Sequence, residues 1–313
     1  MMKKILLLTT GGTIACEPGA DGLVPVLDGA ALVGLVPAVA AYGQVTCRAV
    51  FCVDSSNLQP AQWSRLAQIL GEEYERYDGF IITHGTDTMA YTAAALAVML
   101  VNWGKPVVLT GAQLPIIAPH TDGKANLVSA LQVATSGRGG VFLAFGDRVI
   151  DGCCAHKIDT ENFNAFVSVN RPAVGQLQQG QLYWQEEAVV PVGHWQVRPL
   201  LEPRVLLLKL IPGLSPTLLD FAVAQGYRGV VLEGFGAGGV PTADNNFLPA
   251  VERACTAGLC IVCATQCTFG GVDLTKYPLG VLAAQVGVLS AGKRSLEATV
   301  TRLMWTLANQ ETF

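Results

Sequence analysis

Charged residues are scarce in this chain of 313 residues. Asp, Glu, Lys and Arg make up 14% of it and hydrophobic residues 51%, whereas charged residues make up about 25% of a typical soluble domain. The net charge is −4 without a basic cluster, so a surface that follows nucleic-acid phosphates is not expected. With so little charge to cover its surface, the chain is expected to bury part of that surface between subunits.

Long hydrophobic runs are missing too, since none reaches the roughly 18 residues that a membrane helix needs. Lys3 and Lys4 precede an apolar run at 5–8, and Cys16 follows soon after, which is the order found in a lipoprotein signal. That run is shorter than the about 7–15 residues of a signal peptide. Cleavage before Cys16 would also remove a glycine turn and Thr13, so a functional turn and a signal peptide exclude each other. We therefore expect a cytoplasmic protein with no membrane partner.

The nine cysteines do not form the even framework that small secreted domains close with disulfides. Cys260 and Cys263 have CxxC spacing, but they fall inside a predicted buried strand, and no second pair completes a zinc site. The turn at residues 9–15 lacks both GxGxxG and GxxxxGK[ST], the fingerprints of phosphate-binding turns. Reduced thiols are expected, with no metal and no organic cofactor.

Short apolar segments alternate with longer amphipathic ones, which predicts an α/β fold built on mostly parallel sheets. Strands are predicted first at 3–9, 45–53, 79–83, 105–110 and 140–145, with helices at 28–36, 59–77, 88–103 and 122–135. After an aperiodic stretch from about 181, strands are predicted at 205–210, 229–232 and 260–265, with helices at 215–226, 244–257 and 295–309. The prediction is a larger amino-terminal domain over 1–183, a linker over 184–203 and a smaller Rossmann-like domain over 204–313.

Polar residues follow three of the predicted strands. Thr13 comes after the glycine turn of the first strand, Ser55 and Ser56 after the second, and Thr86 and Asp87 after the third. Ligands bind at the carboxyl edge of open α/β sheets, and glycines let the backbone approach a ligand closely. A carboxylate beside a hydroxyl at a helix start can hold an ammonium group or orient a base. The pattern favours a polar amino-acid ligand.

Each of these residues also has a purely structural explanation. Ser, Thr and Asp are the residue types that cap turns and helices, so Asp87 could cap the helix after it and Thr13 could cap its own turn. Lys157, taken alone, could be an ordinary surface lysine. His84 lies inside the third strand-end motif, but a histidine there is expected to pack or hydrogen-bond beneath the site rather than act as a base.

Three segments make the sequence similar to a known family: 10–15 (TGGTIA), 83–92 (THGTDTMAYT) and 105–115 (KPVVLTGAQLP). They resemble the bacterial-type L-asparaginases, and more closely their cytoplasmic type I branch. Further similar segments, at 53–57, 155–157, 232–241 and 265–267, extend the resemblance over essentially the whole chain. The resemblance implies two α/β domains, self-association as a homodimer or a dimer-of-dimers tetramer, and an active site at the strand ends of the first domain.

The resemblance further implies hydrolysis of L-asparagine to L-aspartate and ammonia. By residue-by-residue correspondence, Thr13 is the nucleophile that forms a covalent acyl-enzyme. Thr86, Asp87 and Lys157 match the family's second triad, in which Lys157 takes or relays the proton of the Thr86 hydroxyl. Asp87 orients Lys157 and also holds the α-ammonium group of the substrate. Whether this triad activates Thr13 or the attacking water stays open.

The remaining substrate contacts also follow from the resemblance. Ser55 and Ser56 match the residues that bind the α-carboxylate and α-amino end of the substrate, with Asp54 shaping their loop. The backbone at Ala112 and the N–H of Thr86 match the oxyanion hole. The general chemistry agrees, because a threonine hydroxyl is a weak nucleophile at neutral pH and needs a base.

Three positions depart from the family pattern. Leu23 stands where many relatives carry a tyrosine in a flexible segment near Thr13, which puts a tyrosine-assisted mechanism in doubt. Glu233 replaces an arginine of the allosteric asparagine site found in some type I enzymes, so activation through that pocket is not expected. Gly239 replaces an asparagine that reaches the substrate, so the partner subunit is expected to contribute less.

Two other kinds of function stay open. One is a glutamine-preferring amidase or a subunit of a tRNA-dependent amidotransferase, which the missing basic patch and the lack of room for a tRNA-binding domain disfavour. The other is a non-catalytic module that binds an amino acid. Binding alone needs neither a nucleophile nor a base, so the presence of both Thr13 and Lys157 disfavours that alternative.

Overall fold

The computed structural model describes residues 2–20, 22–188 and 191–313. The chain divides into two compact units, Met1–Pro199 and Leu200–Phe313. Each unit has its own sheet of mainly parallel strands with helices between them. The predicted fold class, two α/β units of which the first is larger, is therefore confirmed.

The elements of the first unit alternate as the sequence pattern predicts, with several short strands added. Its strands are β1 (Lys4–Gly11), β2 (Cys16–Gly19), β3 (Gly22–Pro25), β4 (Gln44–Val53), β5 (Gly79–Thr83), β6 (Leu100–Val101), β7 (Pro106–Thr110), β8 (Gly140–Phe145), β9 (Arg148–Asp151), β10 (Ala155–Lys157), β11 (Phe166–Ser168), β12 (Gly175–Gln178), β13 (Gln181–Trp184) and β14 (Gln196–Val197). Its α-helices are α1 (Gly29–Gly34), α2 (Pro60–Glu72), α3 (Met89–Met99) and α4 (Gly123–Thr135).

The main sheet has the strand order β13-β12-β9-β8-β7-β5-β1-β4. Strands β4, β1, β5, β7 and β8 pair in parallel, and the remaining pairings at the β9 side are antiparallel. Thr9 is level with Thr83, and Thr83 with Thr110, so the carboxyl ends of β1, β5 and β7 lie side by side. This edge collects the polar residues that follow these strands.

Burial on both faces explains the continuous apolar runs of the central strands. All residues of β5 and β7 are buried, as expected for parallel strands covered by helices on each side. Ile81 and Val108 belong to a core cluster that also contains Leu127 and Leu131 of α4. The strands that carry the candidate site thus rest on a rigid interior.

Some predicted helices end earlier than the pattern suggested. The helix predicted over 88–103 ends at Met99, because Leu100 leaves helical geometry and pairs through β6 with β14. The helix predicted over 59–77 ends at Glu72 and is followed by a short 3-10 turn at Tyr74–Arg76. In both places tertiary pairing or a tight turn replaces the final helical turns.

Part of the segment predicted as a linker over 184–203 belongs to the first unit. The β14 strand lies in it, and Trp195 stacks on Tyr74 with ring centroids 4.3 Å apart. The Ser64 hydroxyl donates to the Pro199 carbonyl at 2.6 Å. Val189 and Val190 of the predicted linker lie outside the described residues. The missing hydrophobic periodicity of this segment therefore reflects an irregular backbone that packs on the first unit through individual side chains.

The second unit is a smaller sheet of four strands in the sequential order β15-β16-β17-β18, all parallel. Its elements are β15 (Val205–Lys209), α5 (Thr217–Ala224), β16 (Gly229–Gly234), α6 (Leu248–Thr256), β17 (Cys260–Thr265), α7 (Pro278–Gln285), β18 (Leu289–Ser290) and α8 (Leu296–Asn309). Across the described ranges of both units, no helix combines the length and apolar character needed to cross a membrane.

Candidate active site

Three glycines allow close contacts between the strand ends. A Cβ atom on Gly12 would lie 2.3 Å from the Gly85 nitrogen, and one on Gly85 would lie 2.6 Å from the Ser55 hydroxyl oxygen. A Cβ on Gly111 would lie 2.3 Å from the His84 carbonyl oxygen. Side chains at these positions would force the loops apart, so the glycines let the three polar motifs and the β7 end share one small site.

Thr13 lies directly after this glycine contact. Gly12 has a φ of 80°, which L residues rarely adopt, and Thr13 begins a 3-10 turn, Thr13–Ala15. The Thr13 side chain is half-buried and, within the described part of the chain, makes no hydrogen bond. Because Gly12 lies against Gly85, Thr13 lies at the same strand-end edge as Thr86.

Lys157, Thr86 and Asp87 come together although the lysine is 70 residues from the carboxylate in sequence. Lys157 ends β10, which pairs with β11. Its Nζ lies 2.8 Å from Thr86 Oγ1 and 2.6 Å from Asp87 Oδ1. The Lys157 side chain is 17% exposed and that of Asp87 59%. The interpretation of Lys157 as an ordinary surface lysine is therefore wrong.

Asp87 does not cap the helix that follows it. Helix α3 begins at Met89, and its N-cap, Thr88, makes no side-chain capping bond. The Thr88 hydroxyl instead donates to the Ser55 carbonyl at 2.8 Å. Asp87 Oδ2 lies 3.5 Å from the Ser56 hydroxyl, while its other oxygen meets Lys157. The carboxylate thus faces the site on both oxygens.

The loop after β4 is ordered by Asp54. Its carboxylate accepts a bond from the Ser56 backbone N–H at 2.8 Å and begins the short turn Ser55–Asn57. Ser55 is buried against Gly85, whereas Ser56 is exposed on the Asp87 side. Local capping by Asp54 therefore fixes the turn that carries both serines.

The loop after β7 is held by a carboxylate that the sequence pattern did not single out. Asp122 is buried, and its oxygens accept bonds from the backbone N–H of Gln113 at 2.9 and 3.1 Å and of Leu114 at 3.1 Å. Asn126 donates to Asp122 and to the Gly111 carbonyl, both at 3.0 Å. The backbone around Ala112 is thereby fixed. An Asp before a helix predicts capping of that helix, so the sequence pattern carried no sign that Asp122 binds the preceding loop instead.

His84 is fully buried beneath the site. Its Nδ1 lies 2.7 Å from the Gly85 carbonyl, which can only accept, so this nitrogen carries the proton. Its Nε2 then accepts from the Thr92 hydroxyl at 2.8 Å. Burial lowers the pKa of His84 to about 4, so the ring is neutral at physiological pH. These contacts agree with a packing role and leave no ring nitrogen free for a substrate.

The segment after Thr13 forms a hairpin of β2 and β3, in which Leu23 pairs with Pro18. Leu23 is 53% exposed. The Cys52 thiol donates to the Pro25 carbonyl at 3.0 Å, which ties the base of the hairpin to the end of β4. Asp21, which belongs to the same segment of the sequence, lies outside the described residues.

The two other departures from the family pattern lie in the second unit. Glu233 is buried, and Lys209 on the neighbouring strand lies 3.2 Å from its carboxylate. Gly239 closes a tight turn in which its N–H donates to the Phe235 carbonyl at 2.7 Å. The carboxylate at 233 is therefore already neutralised within the unit.

Neither metal nor dinucleotide binding finds support in the described residues. No group of three or more His, Cys, Asp and Glu side chains among them could hold a metal ion. Cys260 and Cys263 are both free, and their odd spacing on one strand directs them to opposite faces. A GxGxxG spacing does occur at 234–239, but the next helix begins only at Leu248, so the turn lacks the helix that a dinucleotide site requires.

Two family profiles cover nearly all of the chain. Residues 4–190 match the domain described as "Asparaginase, N-terminal". Residues 204–313 match the "Glutaminase/Asparaginase C-terminal domain". Both profiles fall within the units that the fold separates.

Individual relatives agree with these profiles. The L-asparaginase of Thermococcus kodakarensis is 38% identical over 307 residues, which cover 98% of this chain and 93% of that protein. The solved structure of the thermostable L-asparaginase from the same organism superposes with a TM-score of 0.92 at 37% identity, covering 98% of this chain and 93% of that one. A glutamyl-tRNA(Gln) amidotransferase subunit of Pyrococcus abyssi is 32% identical, covering 99% of this chain and 73% of that protein. The chain belongs to the asparaginase family.

Proposed function

We propose that this protein is an L-asparaginase that hydrolyses L-asparagine to L-aspartate and ammonia through an ester on Thr13. The observation that carries the proposal is the contact of Lys157 Nζ with both Thr86 Oγ1, at 2.8 Å, and Asp87 Oδ1, at 2.6 Å. This contact supplies a base, a hydroxyl relay and an anionic anchor at the edge where Thr13 lies. A binding module would need only the anchor.

In the first half-reaction, Thr13 Oγ1 attacks the side-chain amide carbon of asparagine and gives up its proton. The C–N bond breaks, the nitrogen takes a proton and leaves as ammonia, and an aspartyl ester remains on Thr13. The N–H of Thr86 and the backbone at Ala112 would stabilise the oxyanion, and one such donor contributes about 3 kcal/mol. The Asp122 bonds to Gln113 and Leu114 would keep this loop in place.

In the second half-reaction, water attacks the ester and gives a proton back to Thr13 as the C–O bond breaks. Lys157 in its neutral form can accept a proton through Thr86 in either half-reaction, because its Nζ lies 2.8 Å from Thr86 Oγ1. Single-turnover ammonia release reports acylation, and aspartate release reports both steps. Comparing the two for Lys157→Met assigns the base to one half-reaction.

The amino-acid end of the substrate would be held by the loop after β4 and by Asp87. Asp87 is 59% exposed, so its carboxylate can take the α-ammonium group as well as the bond from Lys157. Ser56 is exposed beside it, and buried Ser55 forms the floor. Together these residues would bind the α-carboxylate and set how far the side-chain amide reaches toward Thr13.

Self-association and a cytoplasmic location are part of the proposal. The second unit exposes large apolar side chains, among them Phe269, Tyr277 and Leu282, which supports contact with a second copy, as a homodimer or a dimer-of-dimers tetramer. Cys16, Cys47, Cys260 and Cys263 are among the free thiols of the described residues, which suits a reducing compartment. Light scattering of the purified protein tests the oligomer, and a mass of one chain at micromolar concentration would contradict it.

The activity is tested by measuring ammonia and product from L-asparagine, L-glutamine and their D-forms. Asparagine should be preferred over glutamine by roughly 10–200-fold in kcat/KM, because one methylene is worth only about 1–3 kcal/mol. Equal or faster turnover of glutamine would favour a glutamine-preferring amidase instead. Ammonia release that occurs only with an added tRNA-charging partner would favour the amidotransferase alternative. The similarity to the Pyrococcus abyssi protein is the reason for testing that alternative.

A further inference from the structure

Gln113 follows Ala112, and its side chain contacts the relay hydroxyl of Thr86. Its side-chain Oε1 lies 3.4 Å from Thr86 Oγ1, and its Nε2 donates to the Asn162 carbonyl at 3.2 Å. A carbonyl oxygen can only accept, so the amide orientation follows from the Asn162 contact. The acceptor oxygen of Gln113 therefore faces Thr86.

The same Thr86 oxygen lies 2.8 Å from Lys157 Nζ. An ammonium group only donates, so when Lys157 is charged, Thr86 Oγ1 accepts from it and turns its own proton elsewhere. Gln113 Oε1 is the acceptor that the structure offers for that proton. The separation of 3.4 Å is long for an O–H to O bond, which is usually about 2.5–3.0 Å. The bond is therefore weak and can be exchanged.

We propose that Gln113 is a positioning residue that holds the Thr86 hydroxyl proton while Lys157 is charged and releases it when Lys157 is neutral. The inference rests on the proposed function. With a neutral Lys157, the Thr86 proton turns to the Nζ lone pair, and the freed oxygen lone pair faces the nucleophile. The nucleophile's proton then moves to Thr86 Oγ1 as the Thr86 proton moves to Lys157, so the transfer balances.

The Gln113 side chain can be exchanged without removing the anchors of its loop. Its backbone N–H is held by both oxygens of Asp122, at 2.9 and 3.1 Å. On the other side, the Asn162 N–H donates to Asp159 at 2.9 Å, which keeps the Asn162 carbonyl in place. Substitution of the side chain therefore tests the contact with Thr86 and leaves the backbone supported.

Two carboxylates, Asp87 and Asp159, interact electrostatically with Lys157, and both are unchanged in variants of Gln113. Asp87 lies 2.6 Å from Nζ. The pKa of Asp159 is lowered mainly by the backbone N–H groups of Glu161 and Asn162, with a smaller contribution from Lys157, so Asp159 is charged at neutral pH. A change in the pH dependence of kcat in a Gln113 variant can therefore be attributed to the side chain at position 113.

The test is the pH dependence of kcat for the wild type, Gln113→Met and Gln113→Glu. In Gln113→Met the charged state of Lys157 loses a supporting acceptor, so the rising limb should move to lower pH. In Gln113→Glu a carboxylate supports the ammonium, so the limb should move to higher pH. A neutral hydrogen bond of the usual strength corresponds to a shift of about 0.5–1 pH unit, and this longer bond should give a shift near the lower end of that range. Gln178→Met, at an exposed glutamine of β12, should leave the profile unchanged.

Shifts of both variants in the same direction, or no shift in either, would overturn the role of Gln113. Lys157→Met separates this failure from that of the proposed function. If Lys157→Met keeps its turnover, the base assignment fails and the inference with it. If it loses turnover while the Gln113 profiles stay unshifted, only the inference fails. Gln113→Asn, whose amide is too short to span Thr86 and Asn162, should match Gln113→Met and serves where the glutamate variant does not fold.

Discussion

Gly12 and Gly85 lie backbone against backbone. A Cβ on Gly12 would be 2.3 Å from the Gly85 nitrogen and 2.5 Å from its Cα. This contact joins the turn that precedes Thr13 to the turn that precedes Thr86. The geometry of the candidate site therefore depends on a position that has no side chain.

Gly12→Ala should lower both stability and activity. At a φ of 80° and a ψ of 170°, a backbone region essentially restricted to glycine, an alanine costs about 1–3 kcal/mol in strain, and the collision with Gly85 adds to that cost. Gly180→Ala is the matched control, with a φ of 77° and nothing within 4 Å of its added Cβ. Urea unfolding should show a larger loss for Gly12→Ala than for Gly180→Ala. Equal losses and equal kcat values would mean that the backbone contact does not matter.

His84 should make the protein less stable in mild acid. Burial lowers its pKa to about 4 in the folded state, whereas an unfolded histidine titrates near 6.5. The free energy of unfolding is therefore unaffected by His84 above about pH 6.5 and decreases as the pH falls toward 4. The expected decrease between pH 7 and pH 5 is about 2 kcal/mol.

The measurement is the free energy of urea unfolding at pH 7 and pH 5 for the wild type and His84→Gln. The glutamine can keep the bonds to Gly85 and Thr92 but does not titrate. The wild type should lose about 2 kcal/mol more than the variant between the two pH values. An identical pH dependence in both proteins would contradict a neutral buried ring.

The sequence predicted the strands that carry the site because both their faces are buried. Continuous apolar runs such as 79–83 have few other interpretations in an α/β chain, and β5 has the predicted bounds. The β2–β3 hairpin and helix α7 were not predicted. The hairpin is short, rich in glycine and proline and mostly exposed, so it carries no hydrophobic period.

The polar contacts were harder to predict than the strands. Local propensity makes both Asp87 and Asp122 candidate helix caps, yet both bond to groups outside their helices. Gln113 lies within a family-like motif, but the orientation of its side chain toward Thr86 depends on a bond to the Asn162 carbonyl, 49 residues away in the sequence. Long-range contacts between polar side chains leave no periodic signal in a sequence, so only resemblance pointed to Lys157.

Leu23→Ala and Lys157→Met should affect different kinetic constants. Leu23 lies on an exposed hairpin that follows Thr13 in the sequence, and it can supply apolar cover for bound substrate but no proton. Its loss should weaken this cover and raise KM. Lys157 is the base closest to Thr86, so its loss should collapse the rate constant of the chemical step. Single-turnover kinetics separate the two effects. An acylation rate that falls as far in Leu23→Ala as in Lys157→Met would refute the assignment.

The rate should depend hyperbolically on asparagine concentration. Glu233 stands where effector-binding relatives carry an arginine, and an anion repels the carboxylate of an effector rather than pairing with it. Lys209 already neutralises Glu233 at 3.2 Å, so this pair offers no free cation. Initial rates over a wide range of asparagine should fit a hyperbola. A Hill coefficient well above one would reveal an effector site elsewhere.

The central claim is that Thr13 forms the ester, and Thr13→Ala tests it most directly. The substitution removes a hydroxyl that makes no hydrogen bond within the described residues, so folding should be unaffected and aspartate should still bind. The decisive measurement is ammonia release from saturating asparagine, with aspartate binding as the control for an intact site. The account predicts a rate below about a hundredth of wild type, since loss of one oxyanion donor alone costs about that much. A folded, aspartate-binding variant that keeps more than that hundredth would contradict Thr13 as the nucleophile.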